Sequence, residues 1–145
     1  MTGRTWGGCA EVILWILTGG RFPAGALALD GGVLLLESSG ELNPARELGW
    51  IMRSLGERGV LAAVDAIVVA RPPAAAIQTE RTFAERRAYR AQQRDSAIEI
   101  AHRYDPDAGV CVGVPFGHTR PEWIVPHGGT MTIDGTRREV WAEYS

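Results

Sequence analysis

The sequence predicts an α/β fold, a short and mostly parallel central sheet with an antiparallel meander added at its C-terminal end. Three observations lead there. Three apolar runs, Val33-Leu34-Leu35-Leu36, Ala66-Ile67-Val68-Val69-Ala70 and Val110-Cys111-Val112-Gly113-Val114, are continuous rather than alternating. That is the pattern of parallel strands covered on both faces. Helical patterns separate these runs, giving the order helix, strand, helix, strand, helix, strand. The last stretch changes character, with short segments at 123–125, 130–133 and 138–142 and an Asp134-Gly135 hairpin turn.

Each element has a local cause. Met1-Thr2-Gly3-Arg4 runs almost directly into a Trp6-Gly7-Gly8-Cys9 turn, and residues 9–17 read as a buried helix stopped by Thr18-Gly19-Gly20. Pro23 and Gly25 mark a loop, and Asp30-Gly31-Gly32 a turn before the first apolar strand. Asn43 reads as a helix cap with Pro44 at the first helical position. Leu48, Ile51, Met52 and Leu55 then fall on one face, and Gly59 supplies a left-handed stop. Arg71-Pro72-Pro73 ends the second strand. Residues 79–104 form a long arginine-rich helix with a patchy apolar face of Phe83, Tyr89, Ala97, Ile98 and Ala101, closed by Asp105-Pro106.

The composition excludes several classes. The 145 residues suit one domain with a sizeable core. Hydrophobic residues are 46%, charged residues 22% and the formal net charge −2, so no bulk attraction to nucleic acid or to a membrane is expected. The apolar run at 12–17 is too short to span a bilayer, and the N-terminus lacks the parts of a signal peptide. Cys9 and Cys111 form no CxxC pair, which suits a reduced, cytoplasmic protein and gives no sign of a zinc site. His102 and His127 lack ligand spacing, so neither a metal nor a cofactor is expected.

Two strand ends carry chemistry. Pro115-Phe116-Gly117-His118-Thr119 is a tight turn after the third apolar strand, closed by Arg120-Pro121. Proline and glycine fix the backbone around His118, and an oriented imidazole is what general-base chemistry near neutral pH needs. Leu34-Leu35-Leu36-Glu37-Ser38-Ser39 ends an apolar strand in a carboxylate. Together these are two members of a Ser-His-Glu triad. The serines at 38, 39, 54, 96 and 145 stand in no nucleophile-elbow context such as G-x-S-x-G.

These pieces resemble a known family. Gly7-Gly8-Cys9 with Glu11-Val12, the Leu34 to Ser39 motif, the run from Asp65 to Pro72, and Pro115 to Thr119 with Pro121 and Pro126-His127-Gly128 occur in the order found in the C-terminal domain of the LD-carboxypeptidase and microcin-immunity serine peptidases. The resemblance covers nearly the whole chain. It implies a swivelling three-layer β/β/α domain over residues 1–145, with Glu37 and His118 in catalytic positions. It also implies a separate N-terminal half carrying the nucleophilic serine, so this chain is expected to be one half of an enzyme. The implied substrate is a murein peptide or a peptidyl-nucleotide toxin, cleaved at an amide bond.

Other residues are weighed beside that expectation. Trp6, Gly7 and Gly8 are expected to line the cleft, with Trp6 stacking on a flat substrate group or covering a seam between domains. Cys9, at a helix N-terminus where thiol pKa values fall, is a substitute nucleophile, though buried structural cysteine is the commoner case. Arg81, Arg86, Arg87, Arg90 and Arg94 alternate with Glu80, Glu85 and Asp95, the pattern of a solvated or oligomer-facing helix. A homodimer or a non-catalytic, ligand-binding remnant is the competing reading. Trp6, Phe116 and Trp123 are expected to form an apolar patch near His118 where a partner docks.

Overall fold

The computed structural model describes residues 1–22, 26–74 and 79–144. The loop expected at Pro23 and Gly25, and Ser145, lie outside the described residues. In chain order the elements are β1 (Thr2–Cys9), α1 (Ala10–Thr18), a 3-10 turn (Ala26–Leu29), β2 (Val33–Glu37), α2 (Ala45–Glu57), α3 (Val60–Ala63), β3 (Ala66–Ala70), α4 (Phe83–Tyr104), β4 (Gly109–Val114), β5 (Thr130–Asp134) and β6 (Glu139–Glu143). Among the described residues six strands make one sheet in the order β4-β3-β2-β1-β5-β6. The strands β1 to β4 pair in parallel, while β1–β5 and β5–β6 pair antiparallel.

The alternation of side chains along β2 and β3 divides the core in two. Leu34, Leu36, Ile67 and Val69 pack against Leu48, Met52 and Leu55 of α2 and Ala97 and Ala101 of α4. Val33, Leu35 and Val68 point the other way, onto Met131 and Ile133 of β5. The antiparallel end of the sheet therefore curls back over its parallel part. Helices, parallel strands and antiparallel strands form three layers, the β/β/α arrangement that the resemblance implied. Each fully buried leucine, such as Leu34 or Leu36, contributes about 1.5–3 kcal/mol through burial.

Several expectations are corrected. The N-terminal residues are not a lead-in to a turn but a strand, β1, which sits mid-sheet between β2 and β5. Its glycines concealed it, since Gly7 and Gly8 have low strand propensity and pair with Leu35 and Leu36 at positive φ, +143° and +137°. Helix α1 buries one face only, through Ala10, Ile13 and Leu17, and exposes Val12 and Trp15. Asn43 is not the cap of α2; that position is Pro44, and the Asn43 amide instead donates to Glu11 Oε1 at 2.5 Å. Gly59 is left-handed, at φ +76°, as expected.

The arginine-rich helix starts at Phe83 rather than at 79. Thr82 and Glu85 form a reciprocal capping box there, which sequence periodicity alone does not reveal. Phe83 is exposed rather than part of the apolar face. β4 is an edge strand, half-buried until Val114. Residues 123–125 join no strand. The hairpin between β5 and β6 is a four-residue turn, residues 135–138, in which Asp134 Oδ1 accepts from the amides of Thr136 and Arg137 and Arg138 takes φ +57°.

Candidate active site

Parallel β2 and β4 end at the same edge of the sheet, and this brings the two chemistry-bearing segments together. Glu37 is the last residue of β2, opposite Cys9 of β1. At the end of β4 the register slips, with Val69 opposite Val112 but Ala70 opposite Val114. The extra residue is Gly113, at φ +83°, and such a bulge turns the strand. Pro115 and Phe116 follow, with Phe116 only 3% exposed and packed among Val68, Val114 and Met131. That buried ring anchors the loop that carries His118.

The loop then wraps the Glu37 carboxylate. Oε2 accepts from the His118 backbone amide at 3.2 Å and lies 2.7 Å from His118 Nδ1. Gly117 makes the wrap possible. It adopts φ +72°, and a Cβ on it would stand 2.4 Å from Glu37 Oε2. On the far side, Arg71 at the end of β3 donates through Nε to Thr119 Oγ1 at 3.0 Å, and through Nη2 to the carbonyls of Arg120 and Pro121. The Glu37 side chain is 9% exposed and that of His118 is 52% exposed. One ring nitrogen is thus fixed on a buried carboxylate at a half-open imidazole, in a cleft of about 370 Å³ lined also by Thr119, Arg120 and Glu122.

A second brace holds the other flank. The Glu11 carboxylate accepts from the Ser39 amide at 3.3 Å, from Ser39 Oγ at 3.1 Å, from Asn43 Nδ2 and from the Cys9 thiol at 3.1 Å. It ties the start of α1 to the turn just after Glu37. Despite its burial, these hydrogen bonds hold Glu11 below the ordinary carboxylate range. Glu11 and Arg71 are the positioning residues that sequence reasoning did not single out. Each falls inside a motif quoted for other reasons, and only the fold shows which loop each one grips.

The hydrogen bond to Glu37, with further attraction from Glu11 and Glu122, raises the His118 pKa above its ordinary value against the opposing effect of burial. Replacing the carboxylate reverses the main cause. In Glu37→Gln the His118 imidazole should titrate at lower pH, read from its ring-proton shifts by NMR; an unchanged or raised midpoint would contradict the pairing. The raised folded pKa also bears on stability. Its contribution is fully present below the unfolded histidine pKa and is lost as pH rises through the folded value.

The remaining sequence candidates fare differently. Gly7 and Gly8 lie on β1 beside Leu35 and Leu36, with Gly8 one position from the Cys9–Glu37 pair. Trp6 is half-buried, edge-on to Phe22 at 5.3 Å between ring centroids, and packs on the helix-side core. Phe116 is sealed in the core and Trp123 is exposed, so the three aromatics form no continuous patch. The Cys9 thiol pKa is raised, by burial first and by the nearby Glu11, the opposite of the fall expected at a helix N-terminus. Among the described residues, no group of three or more His, Cys, Asp or Glu side chains is placed to hold a metal ion. No described helix is long and apolar enough to cross a membrane.

Residues 2–133 match the family model of the LD-carboxypeptidase C-terminal domain. The chain belongs to that family. No curated protein matches it. Among solved structures, it is similar to an MccF-like protein from Streptococcus pneumoniae in complex with AMP, at 20% identity and a TM-score of 0.76, covering 99% of this chain and 41% of that one. MccF in complex with glutamyl sulfamoyl guanosine is similar at 17% identity and a TM-score of 0.71, over 100% of this chain and 38% of that one. A muramoyltetrapeptide carboxypeptidase from Oxalobacter formigenes is similar at 20% identity and a TM-score of 0.69, over 96% and 43%. At these identities the likeness is one of fold. The chain of this LD-carboxypeptidase C-terminal domain spans about two-fifths of the length of the solved structures it matches.

Proposed function

We propose that this domain supplies the base and the orienting carboxylate of a serine peptidase whose nucleophile is carried by an N-terminal half. The observation that carries the proposal is the 2.7 Å contact between His118 Nδ1 and Glu37 Oε2 at a half-exposed ring. An ionised Glu37 places the proton of neutral His118 on Nδ1 and leaves Nε2 as the free base. A serine hydroxyl presented at the cleft loses its proton to Nε2 as its oxygen attacks the substrate carbonyl. The imidazolium formed is stabilised by Glu37 and then protonates the departing amine. Water, deprotonated by the same nitrogen, releases the acyl group.

Among the described residues no serine of this chain fills the nucleophile's role. Ser39 Oγ donates to Glu11, Ser54 Oγ to the Trp50 carbonyl and Ser96 Oγ to the Ala45 carbonyl, and neither these three nor Ser38 hydrogen-bonds His118. A thiol route through Cys9 is disfavoured because its proton is engaged by Glu11 and its pKa is raised. The substrate we assign is an amide in a cytoplasmic murein peptide or in a peptidyl-nucleotide; a muramoyltetrapeptide carboxypeptidase and MccF in complex with glutamyl sulfamoyl guanosine are among the solved relatives. The free thiols Cys9 and Cys111 suit that reducing compartment.

The test is reconstitution. The chain, combined with a serine-bearing N-terminal half from the same genome, should release the terminal amino acid from an L,D-linked peptide, while the chain alone should not. Absence of turnover from a stable complex of the two halves would favour the non-catalytic, ligand-binding reading instead.

A further inference from the structure

A cavity beside the Glu37–His118 cleft has a distinct chemistry. It is about 520 Å³ and runs between the end of β3 and the first half of α4, reaching Ser38, the residue after Glu37. One wall is cationic: Arg86, Arg87, Arg90 and Arg94 project from one stripe of α4, and Arg71 faces them from β3. The sequence pattern suggests that neighbouring acids neutralise this helix. They do not do so here. Glu85 is consumed by the capping box with Thr82, and among the described residues only Arg94 of the five has an ion-pair partner, Asp95. Arg90 is steered onto the wall by its Nε bond to the Pro72 carbonyl at 3.3 Å, and its guanidinium pKa is lowered by burial and by the like charges of Arg71 and Arg86.

A second observation is independent of charge. Gln93 lines the same cavity, is only 3% exposed, and is held by its Nε2 donating to the Asn43 carbonyl at 2.7 Å. Its Oε1 is buried and has no hydrogen-bond partner among the described residues. A buried acceptor left unmatched costs about 1–3 kcal/mol, so a ligand donor at this position gains by satisfying it.

We infer that this cavity is a binding subsite for a small anionic ligand, whose carboxylate or phosphate meets Arg86, Arg87 and Arg90 and whose N–H or O–H donates to Gln93 Oε1. Binding is independent of the proposed hydrolysis. Only the identification of the ligand as the acidic end of a substrate or product rests on that reading, because Ser38 of this cavity directly follows Glu37 and Arg71 hydrogen-bonds Thr119, which lines the cleft.

The full chain alone is sufficient for the test, which reads binding and not turnover, so failure of the triad reading leaves it standing. Two probes distinguish the sources of the anion. N-acetylalanine carries a carboxylate beside an amide N–H, and ribose 5-phosphate carries a phosphate near hydroxyls. Titration of either, followed by backbone amide shifts, should give saturable changes along α4 and β3. Arg86→Glu/Arg90→Glu should weaken the binding by about tenfold or more, the scale of losing one charge-assisted hydrogen bond. Arg103→Glu, at the far end of α4 and paired with Glu99, should leave it unchanged. If the double variant fails to fold, the exposed Arg87→Gln gives the same reading. Propionate, with similar charge but no N–H, should bind more weakly than N-acetylalanine. No saturable shift with either probe, or equal affinity in the arginine variants, overturns the inference; equal binding of propionate overturns the role of Gln93.

Discussion

In the reconstituted enzyme, His118→Ala is expected to lower kcat by about a million-fold and Glu37→Gln by about 10⁴-fold, with little change in substrate affinity. The two losses differ because the residues do different things. Without His118 no group in the cleft can take the serine proton. Without the Glu37 carboxylate the imidazole remains, but the amide that replaces it can donate to Nδ1 and hold the wrong tautomer, leaving Nε2 protonated and unable to act as a base. The double variant should be no worse than His118→Ala alone, since the carboxylate works only through the ring. Steady-state rates with an L,D-linked peptide decide this. A His118→Ala enzyme with more than about a tenth of full activity would remove the histidine from the mechanism. Cys9→Ala should retain activity within an order of magnitude; its loss, with His118→Ala active, would move the chemistry to the thiol.

The contrast between what is legible in the sequence and what is not has a physical basis. Strands β2 and β3 announce themselves because both faces are buried, so Leu34-Leu35-Leu36 and Ile67-Val68-Val69 carry no polar interruption. Glu37 and His118 stand out for a different reason: each follows a buried run, and the resemblance, more than the strand-end position itself, singles them out, since a polar residue where a buried strand stops is commonly just solvated. β1 is not legible, because Gly7 and Gly8 are there for backbone closeness and conformation and not for side-chain packing, so no periodicity marks them. The wall of arginines reads as solvated because alternating charge in sequence suggests pairing in space. The capping box removes Glu85 from that pairing, and no sequence pattern says which partner an acid will choose. Phe116 is expected outside because it flanks the histidine; a loop that holds His118 against Glu37 instead needs an apolar anchor, and Phe116 is that anchor.

The conformation of β1 gives the sharpest test of the fold that positions the site. Gly7→Ala is expected to destabilise the chain by more than about 4 kcal/mol, a large part of the roughly 5–15 kcal/mol that a domain of this kind has. At Gly7, φ is +143°, and a Cβ there would lie 1.9 Å from the Leu35 carbonyl oxygen, with Leu35 backbone atoms also at 2.7 and 2.8 Å. The obstacle is backbone in the middle of the parallel pairing, so it cannot swing aside as a side chain would. Relief requires β1 and β2 to separate, and the same pairing sets Cys9 opposite Glu37. Gly8→Ala is the control. Its φ is nearly the same, +137°, but its Cβ would meet nothing within 4 Å, so only conformational strain of about 1–3 kcal/mol should appear. Urea unfolding of both variants separates the two contributions. Equal losses would mean that conformation alone demands these glycines and that β1 does not approach β2 as closely as described. A much larger loss for Gly7→Ala, with the His118 titration displaced in whatever folded protein remains, would show that this strand contact holds the Glu37 side of the dyad in place.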